Sequence, residues 1–154
     1  NPLYQSQLAC DTYGDCIYCG MMEEERRQQV RVVKETKYFL VICPFASRSP
    51  FETRIYPKIH RSSFATISDE ESEDFSRVLQ ETLKRLSIGL NDPDYNYIIR
   101  SAPIEDTNVK YDHWYAVIVP KLTTPAGFEI GTGIYINSTL PEQCADFLRG
   151  VKIE

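Results

Sequence analysis

The chain has 154 residues, 42% hydrophobic and 25% charged, with a formal charge of −5 and a pI near 5.1. That is the length of one domain with enough apolar side chains for a packed core, which excludes a disordered chain. An acidic balance without a basic run argues against nucleic acid or an anionic membrane as partner, and no apolar run approaches the roughly 18 residues that span a bilayer.

Residues 1–15 read as an irregular N-terminal arm, without the charged start and apolar stretch of a signal peptide. Residues 16–154 read as a single domain. The first residue is Asn1, not Met, which leaves open whether the chain is a piece of a longer protein. Residues 16–22 (CIYCGMM) form a knuckle and 23–29 (EEERRQQ) a solvated charge run. Val30–Glu35 and Lys37–Cys43 are rich in β-branched and aromatic residues and predict two strands. Phe51–Pro57 alternates apolar and polar residues, as a half-buried strand does.

Ser68–Leu90 carries the clearest signal. Ser68 with Glu71 three residues on is a capping box, and Asp69, Glu70 and Glu71 sit where the helix dipole favours anions. Phe75, Val78, Leu79, Leu83, Leu86 and Leu90 fall on one helical face, and Gly89 offers a terminator. Tyr95–Ser101 and Trp114–Val119 predict two more strands. Between them Ala102–Asp112 is a polar loop. Lys121–Gly133, with three glycines and a proline, predicts a shaped loop. A second capping box at Thr139–Glu142 opens a short helix ending at Gly150. The order β-β-β-α-β-β-α makes an α+β fold, a mostly antiparallel sheet with one long helix packed on it and a short C-terminal helix.

Five cysteines in an odd, scattered set do not make a secreted disulfide framework, and they point to a reducing intracellular compartment, cytoplasm or plastid stroma. Cys43 and Cys144 lie in apolar surroundings and read as buried small hydrophobes. Cys16-x-x-Cys19 has a suggestive spacing. After the turn-rich Thr12–Asp15 it suits a metal knuckle better than a redox pair. Two thiolates need two more ligands for tetrahedral zinc, and the chain has two histidines, His60 and His113, each at a strand boundary. Spacing alone leaves two readings open: a Cys2His2 site, or two unrelated histidines and a reduced thiol pair.

Three stretches carry a resemblance: PFASRSPFETRIYPKIH, DHWYAVIVPKLTTPAGFEIGTGIYIN and PEQCADFLR. Together they resemble the galactose-1-phosphate uridylyltransferase family of the histidine-triad superfamily, in particular the C-terminal half of its plant-type, ADP-glucose phosphorylase-like members. The resemblance runs from about Cys16 to Arg149. It implies a histidine-triad-like fold and a structural Zn2+ held by Cys16, Cys19, His60 and His113.

In the family's catalytic half a histidine two residues after the last zinc ligand takes the nucleotidyl group. Here that position is Tyr115. A phenol, neutral at pH 7, is a poor replacement, and Val117 on the same strand face has no acid–base chemistry. The resemblance therefore implies a catalytically degenerate half. It also implies that the loop Thr123–Gly133 reaches toward a sugar phosphate, with Thr124, Gly127, Phe128 and Glu129 as substrate-binding positions. The partner expected is a catalytic half, a second copy or a host complex. The competing readings are a stand-alone protein–protein interaction module within a larger complex, part of an active hexose-1-phosphate uridylyl- or adenylyltransferase whose catalytic half lies elsewhere and, less favoured, an enzyme working through Tyr115. The face bearing Tyr115, Val117 and Val119 is expected to need cover from such a partner, because one helix can cover only one face of the sheet.

Overall fold

The computed structural model describes residues 2–102 and 109–153. Two helices come first, α1 (Pro2–Tyr13) and α2 (Ile17–Gln28). Three strands follow: β1 (Val32–Glu35), β2 (Phe39–Ile42) and β3 (Thr53–Pro57). A 3-10 turn at Phe64–Thr66 leads to the long helix α3 (Asp69–Leu90). Strands β4 (Tyr95–Arg100) and β5 (Tyr115–Pro120) then precede the short α4 (Gly127–Thr132) and α5 (Pro141–Gly150). The five strands make one sheet in the order β1-β2-β3-β5-β4, antiparallel at every pairing. The expected α+β architecture is therefore present.

The two faces of the sheet make two cores. Trp114, Ala116 and Ile118 join Phe39, Val41 and Ile55 under Phe75, Val78 and Leu86 of α3 and Cys144, Ala145 and Leu148 of α5. On the other face Tyr115 and Val117 join Leu40, Ile42 and Tyr56 beneath Met22 and Tyr18 of α2. This alternation is the two-residue period of a strand buried on both sides.

α3 begins as its sequence dictates. The Ser68 side chain accepts from the Glu71 backbone N–H at 3.2 Å, and the Glu71 carboxylate accepts from the Ser68 N–H at 2.9 Å.

Several expectations are corrected. The arm expected to be irregular is helical from Pro2 to Tyr13, and the charge run 23–29 lies mostly within α2. There Arg26 and Arg27 occupy the last turn, where the dipole favours cations, and buried Met22 and Glu25 mark the inner face. Gly89 does not terminate α3. The helix ends in the left-handed Asn91, and Gly89 is instead a close-approach residue whose added Cβ would lie 2.8 Å from Phe147 and from Val151. The second capping box does not form. Leu140 is the N-cap of α5 without a side-chain bond, and Pro141 starts the helix with its preset φ. The glycine loop folds in part, as α4.

The face bearing Tyr115 does not wait for a partner. α2 covers it, leaving both Tyr115 and Val117 only 7% exposed. Sequence reading missed this cover because the C-terminal half of α2 is a run of charged residues. The open apolar surface lies elsewhere. Tyr95, Tyr97 and Ile98 of the edge strand β4 are exposed, as are Phe128, Ile130, Ile134, Tyr135 and Ile136.

Candidate metal centre

β3 and β5 are antiparallel neighbours, with Ile55 opposite Ala116. The chain leaving β3 and the chain entering β5 therefore emerge side by side, and these segments carry His60 and His113. α2 supplies the thiols. Cys16 is its N-cap residue in extended conformation and Cys19 sits in its first turn. The spacing that looked like a half-site thus places both sulfurs on one end of a helix that lies over this edge of the sheet.

The ligand atoms of Cys16, Cys19, His60 and His113 all lie within 4.8 Å of one another. Cys19 Sγ is 3.4 Å from His60 Nδ1 and 3.5 Å from His113 Nδ1. Each imidazole is oriented from behind. His113 Nε2 donates to the Pro57 carbonyl at 2.8 Å, and His60 Nε2 is 3.4 Å from the Val109 carbonyl. With the proton on Nε2, the Nδ1 lone pairs face the sulfurs, the usual outer support of metal-binding histidines.

These distances fit an ion. A tetrahedral centre with ordinary metal–sulfur and metal–imidazole bonds holds S and N about 3.5 Å apart. His113 and Cys16 are buried, Cys19 partly so, and His60 is exposed. A cavity of about 500 Å³, lined by Cys10, Asp15, Glu23 and Lys110 among others, opens beside the cluster.

The electrostatics suit deprotonation. The Cys16 thiol is pulled down to about 3, chiefly by the hydrogen bond from Cys19, with His113 and the backbone N–H groups at the start of α2 helping against burial. Cys19 is pushed up because it keeps the proton shared with Cys16 and is itself desolvated. The two sulfurs thus share a proton between them, a pair that titrates together. A bound cation takes the place of the shared proton, so binding would release it.

Tyr115 lies next to this centre but is packed as a core residue. Its ring is 4.9 Å from that of Tyr56 and 5.5 Å from that of Tyr18, and the Arg54 guanidinium sits 5.4 Å above it. Arg54 is fixed by Glu52 at 2.6 Å. Burial pushes the Tyr115 phenol up, away from the ionised form a nucleophile would need. The Glu52-Arg54-Tyr56 wall was not singled out in the sequence. Its signal was present, as polar residues two apart on a strand that also carries buried Ile55.

The four loop positions do not join the metal cluster. Thr124, Gly127, Phe128 and Glu129 lie on an exposed segment, Gly127 opening α4. Glu129 turns back on its own loop, accepting from the backbone N–H of Ala126 at 3.0 Å and of Ile136 at 3.1 Å. Phe128 points outward, 56% exposed.

No protein-family model matches the chain. Individual proteins do. ADP-glucose phosphorylase of Arabidopsis thaliana is 38% identical over 142 residues, a match covering 91% of this chain and 39% of that protein. Its crystal structure with bound ADP-glucose superposes with a TM-score of 0.88 at 37% identity, over 98% of this chain and 48% of that one. Galactose-1-phosphate uridylyltransferase of Thermotoga maritima is 33% identical over 148 residues, covering 90% of this chain and 46% of that protein. A zinc-bound histidine triad family protein from Mycobacterium smegmatis shares the fold, with a TM-score of 0.60 at 18% identity over 87% of this chain and 90% of that one. The chain spans about half the length, or somewhat less, of the curated relatives it matches.

Proposed function

The chain belongs to the galactose-1-phosphate uridylyltransferase family within the histidine-triad-like fold, and from that premise we propose that it is the zinc-holding, non-catalytic half of a sugar-1-phosphate nucleotidyltransferase. The observation that carries this reading is the pairing of an intact Cys16, Cys19, His60 and His113 cluster with a tyrosine packed as core two residues after His113. Two soft thiolates and two imidazoles suit zinc. With four protein ligands and no open position, the ion supplies structure rather than Lewis-acid chemistry. It would pin α2 to the ends of β3 and β5 and so complete the second core.

The half-length match supports a catalytic half elsewhere as partner. β4 is the edge at which such a half would add. It is an edge strand whose Tyr95, Tyr97 and Ile98 are exposed, flanked by an apolar groove on α3 lined by Leu79, Leu83 and Ile88. Unpaired apolar edges of this kind are normally covered. In this reading the Thr123–Gly133 loop reaches toward that partner's sugar phosphate, with Thr124, Gly127, Phe128 and Glu129 as the contacting positions, and the exposed Phe128 supports it. Among the described residues no helix is long and apolar enough to cross a membrane. The five free cysteines fit a reducing compartment, cytoplasm or plastid stroma.

Labelling tests the reading. Incubation of the purified chain with ADP-glucose or UDP-glucose radiolabelled in the nucleotidyl phosphate leaves no acid-labile label on it. Label that attaches to this chain and disappears in Tyr115→Phe contradicts the proposal.

A further inference from the structure

The metal cluster is open on one side. Cys16, Cys19 and His60 themselves line the cavity of about 500 Å³ beside it. Gly14 and Gly20 line the same space, and a Cβ added to either would meet nothing within 4 Å. These two positions therefore put no side chain between the sulfurs and water. Cys19 is partly exposed, whereas Cys16 is buried. His60 is exposed and lies 3.4 Å from the Val109 carbonyl, a looser hold than the 2.8 Å between His113 and the Pro57 carbonyl.

The two sulfurs are also placed to react with each other. Cys16 is the N-cap of α2, and Cys19 lies three residues on, in the first turn. Their Sγ atoms are within 4.8 Å, as are all the ligand atoms of the set. Side-chain rotation can close a disulfide across such a span, as in CxxC pairs at helix starts. The other thiols are placed differently. Cys43 and Cys144 are each 1% exposed within the main core, out of an oxidant's reach. Cys10 borders the cavity but stands outside the ligand group.

We propose that the cluster is a peroxide-sensitive switch, holding its metal when reduced and releasing it when Cys16 and Cys19 are oxidised to a disulfide. The inference rests on the metal-binding reading of the cluster and adds its regulation. The Cys19 thiolate, the more accessible of the pair, attacks one peroxide oxygen, forming a sulfenic acid and expelling hydroxide. The Cys16 thiolate then attacks the Cys19 sulfur, forming the S–S bond and expelling a second hydroxide. The sulfur pair gives two electrons to the peroxide, whose oxygens end as two waters on protonation. His60 and His113 are then the remaining ligands, half of what tetrahedral zinc needs. α2 loses its tie to the segments that leave β3 and enter β5.

Hydrogen peroxide titration of the full chain, purified with zinc under reducing conditions and then freed of reductant, tests this. A chromogenic chelator reads released zinc against an untreated control, and peptide mass mapping reads the disulfide. Zinc leaves in step with the Cys16-to-Cys19 bond, about one ion per disulfide, while Cys43 and Cys144 stay reduced. A dithiol reductant with added zinc restores the metal content. Cys10→Ser, which keeps all four ligands, releases zinc as the native chain does. Zinc retained while the thiols are oxidised overturns the switch and leaves the metal site standing. A bond from Cys10 to Cys19 as the main product, or Cys19 driven to sulfinic acid without a disulfide, overturns it too. A reduced chain without zinc overturns the metal site itself, and the switch with it.

Discussion

Arg31 ties the thiol-bearing helix to the rest of the domain, and replacing it should loosen both. Its side chain is only 13% exposed and lies between α2 and β1. The guanidinium donates to both oxygens of Glu25, at 2.9 and 3.1 Å, and to Glu142 of α5 at 2.8 Å. Glu25, near the C-terminal end of α2, has a side chain just 4% exposed. Arg31→Met keeps much of the apolar stem but strands the Glu25 carboxylate without its cation. Breaking a buried pair in this way costs about 3–5 kcal/mol, a large share of the 5–15 kcal/mol that typically holds a domain together.

Urea unfolding at pH 7 measures that loss. Arg31→Met with Glu25→Gln should recover most of it, since an amide is far cheaper to bury than a lone carboxylate. The loss should also shrink in acid. The hydrogen bond from Arg31 holds the Glu142 carboxyl below its ordinary value of 4.5. A depressed carboxyl stabilises the fold above its unfolded pKa and loses that contribution as pH falls through the folded one. The gap between native and variant should therefore narrow from pH 6 toward pH 3. A loss below about 1 kcal/mol, the scale of an exposed pair, would refute the reasoning, as would a gap that widens in acid.

Two further expectations follow from single residues. Ser68→Ala removes the hydroxyl that caps α3 and should cost about 1 kcal/mol in urea unfolding without changing metal content. Tyr115→His restores an imidazole at the family's nucleophile position, yet should give no nucleotidyl labelling, because the pocket around it is filled by Tyr18, Tyr56 and Arg54 and catalysis needs sub-ångström placement. Labelling of that variant would show that Tyr18, Tyr56 and Arg54 yield more readily than their packing implies.

The fold was readable wherever local chemistry and tertiary packing agree. Ser68 and Glu71 announce α3 because both halves of the box lie within one turn of chain. The double-sided apolar run of β5 announces a strand buried on both faces. α1 and α2 were not readable, because EEERRQQ faces water and the inward side of α2 is marked chiefly by Tyr18, Met22 and the ion-paired Glu25. Thr139 and Glu142 show the converse. The local signature is present, but the Thr139 N–H is taken by the Asn137 side chain at 3.1 Å, and Pro141 sets the helix start.

The metal ligands were nameable as residue types, but 40 and more residues separate Cys19 from His60 and His60 from His113. Their meeting depends on β3 and β5 being neighbours, which spacing cannot state. The resemblance supplied the four as a set, and the geometry brings their ligand atoms together.

The central claim is that Cys16, Cys19, His60 and His113 hold one structural zinc. The most direct measurement is elemental analysis of the chain purified under reducing conditions, paired with thermal unfolding of the native protein and of Cys16→Ser. Because metal binding in such sites is folding energy, the account predicts one zinc per chain, lost in the variant together with a clear fall in melting temperature. Native protein without zinc, or a Cys16→Ser protein that melts with the native one, would contradict it.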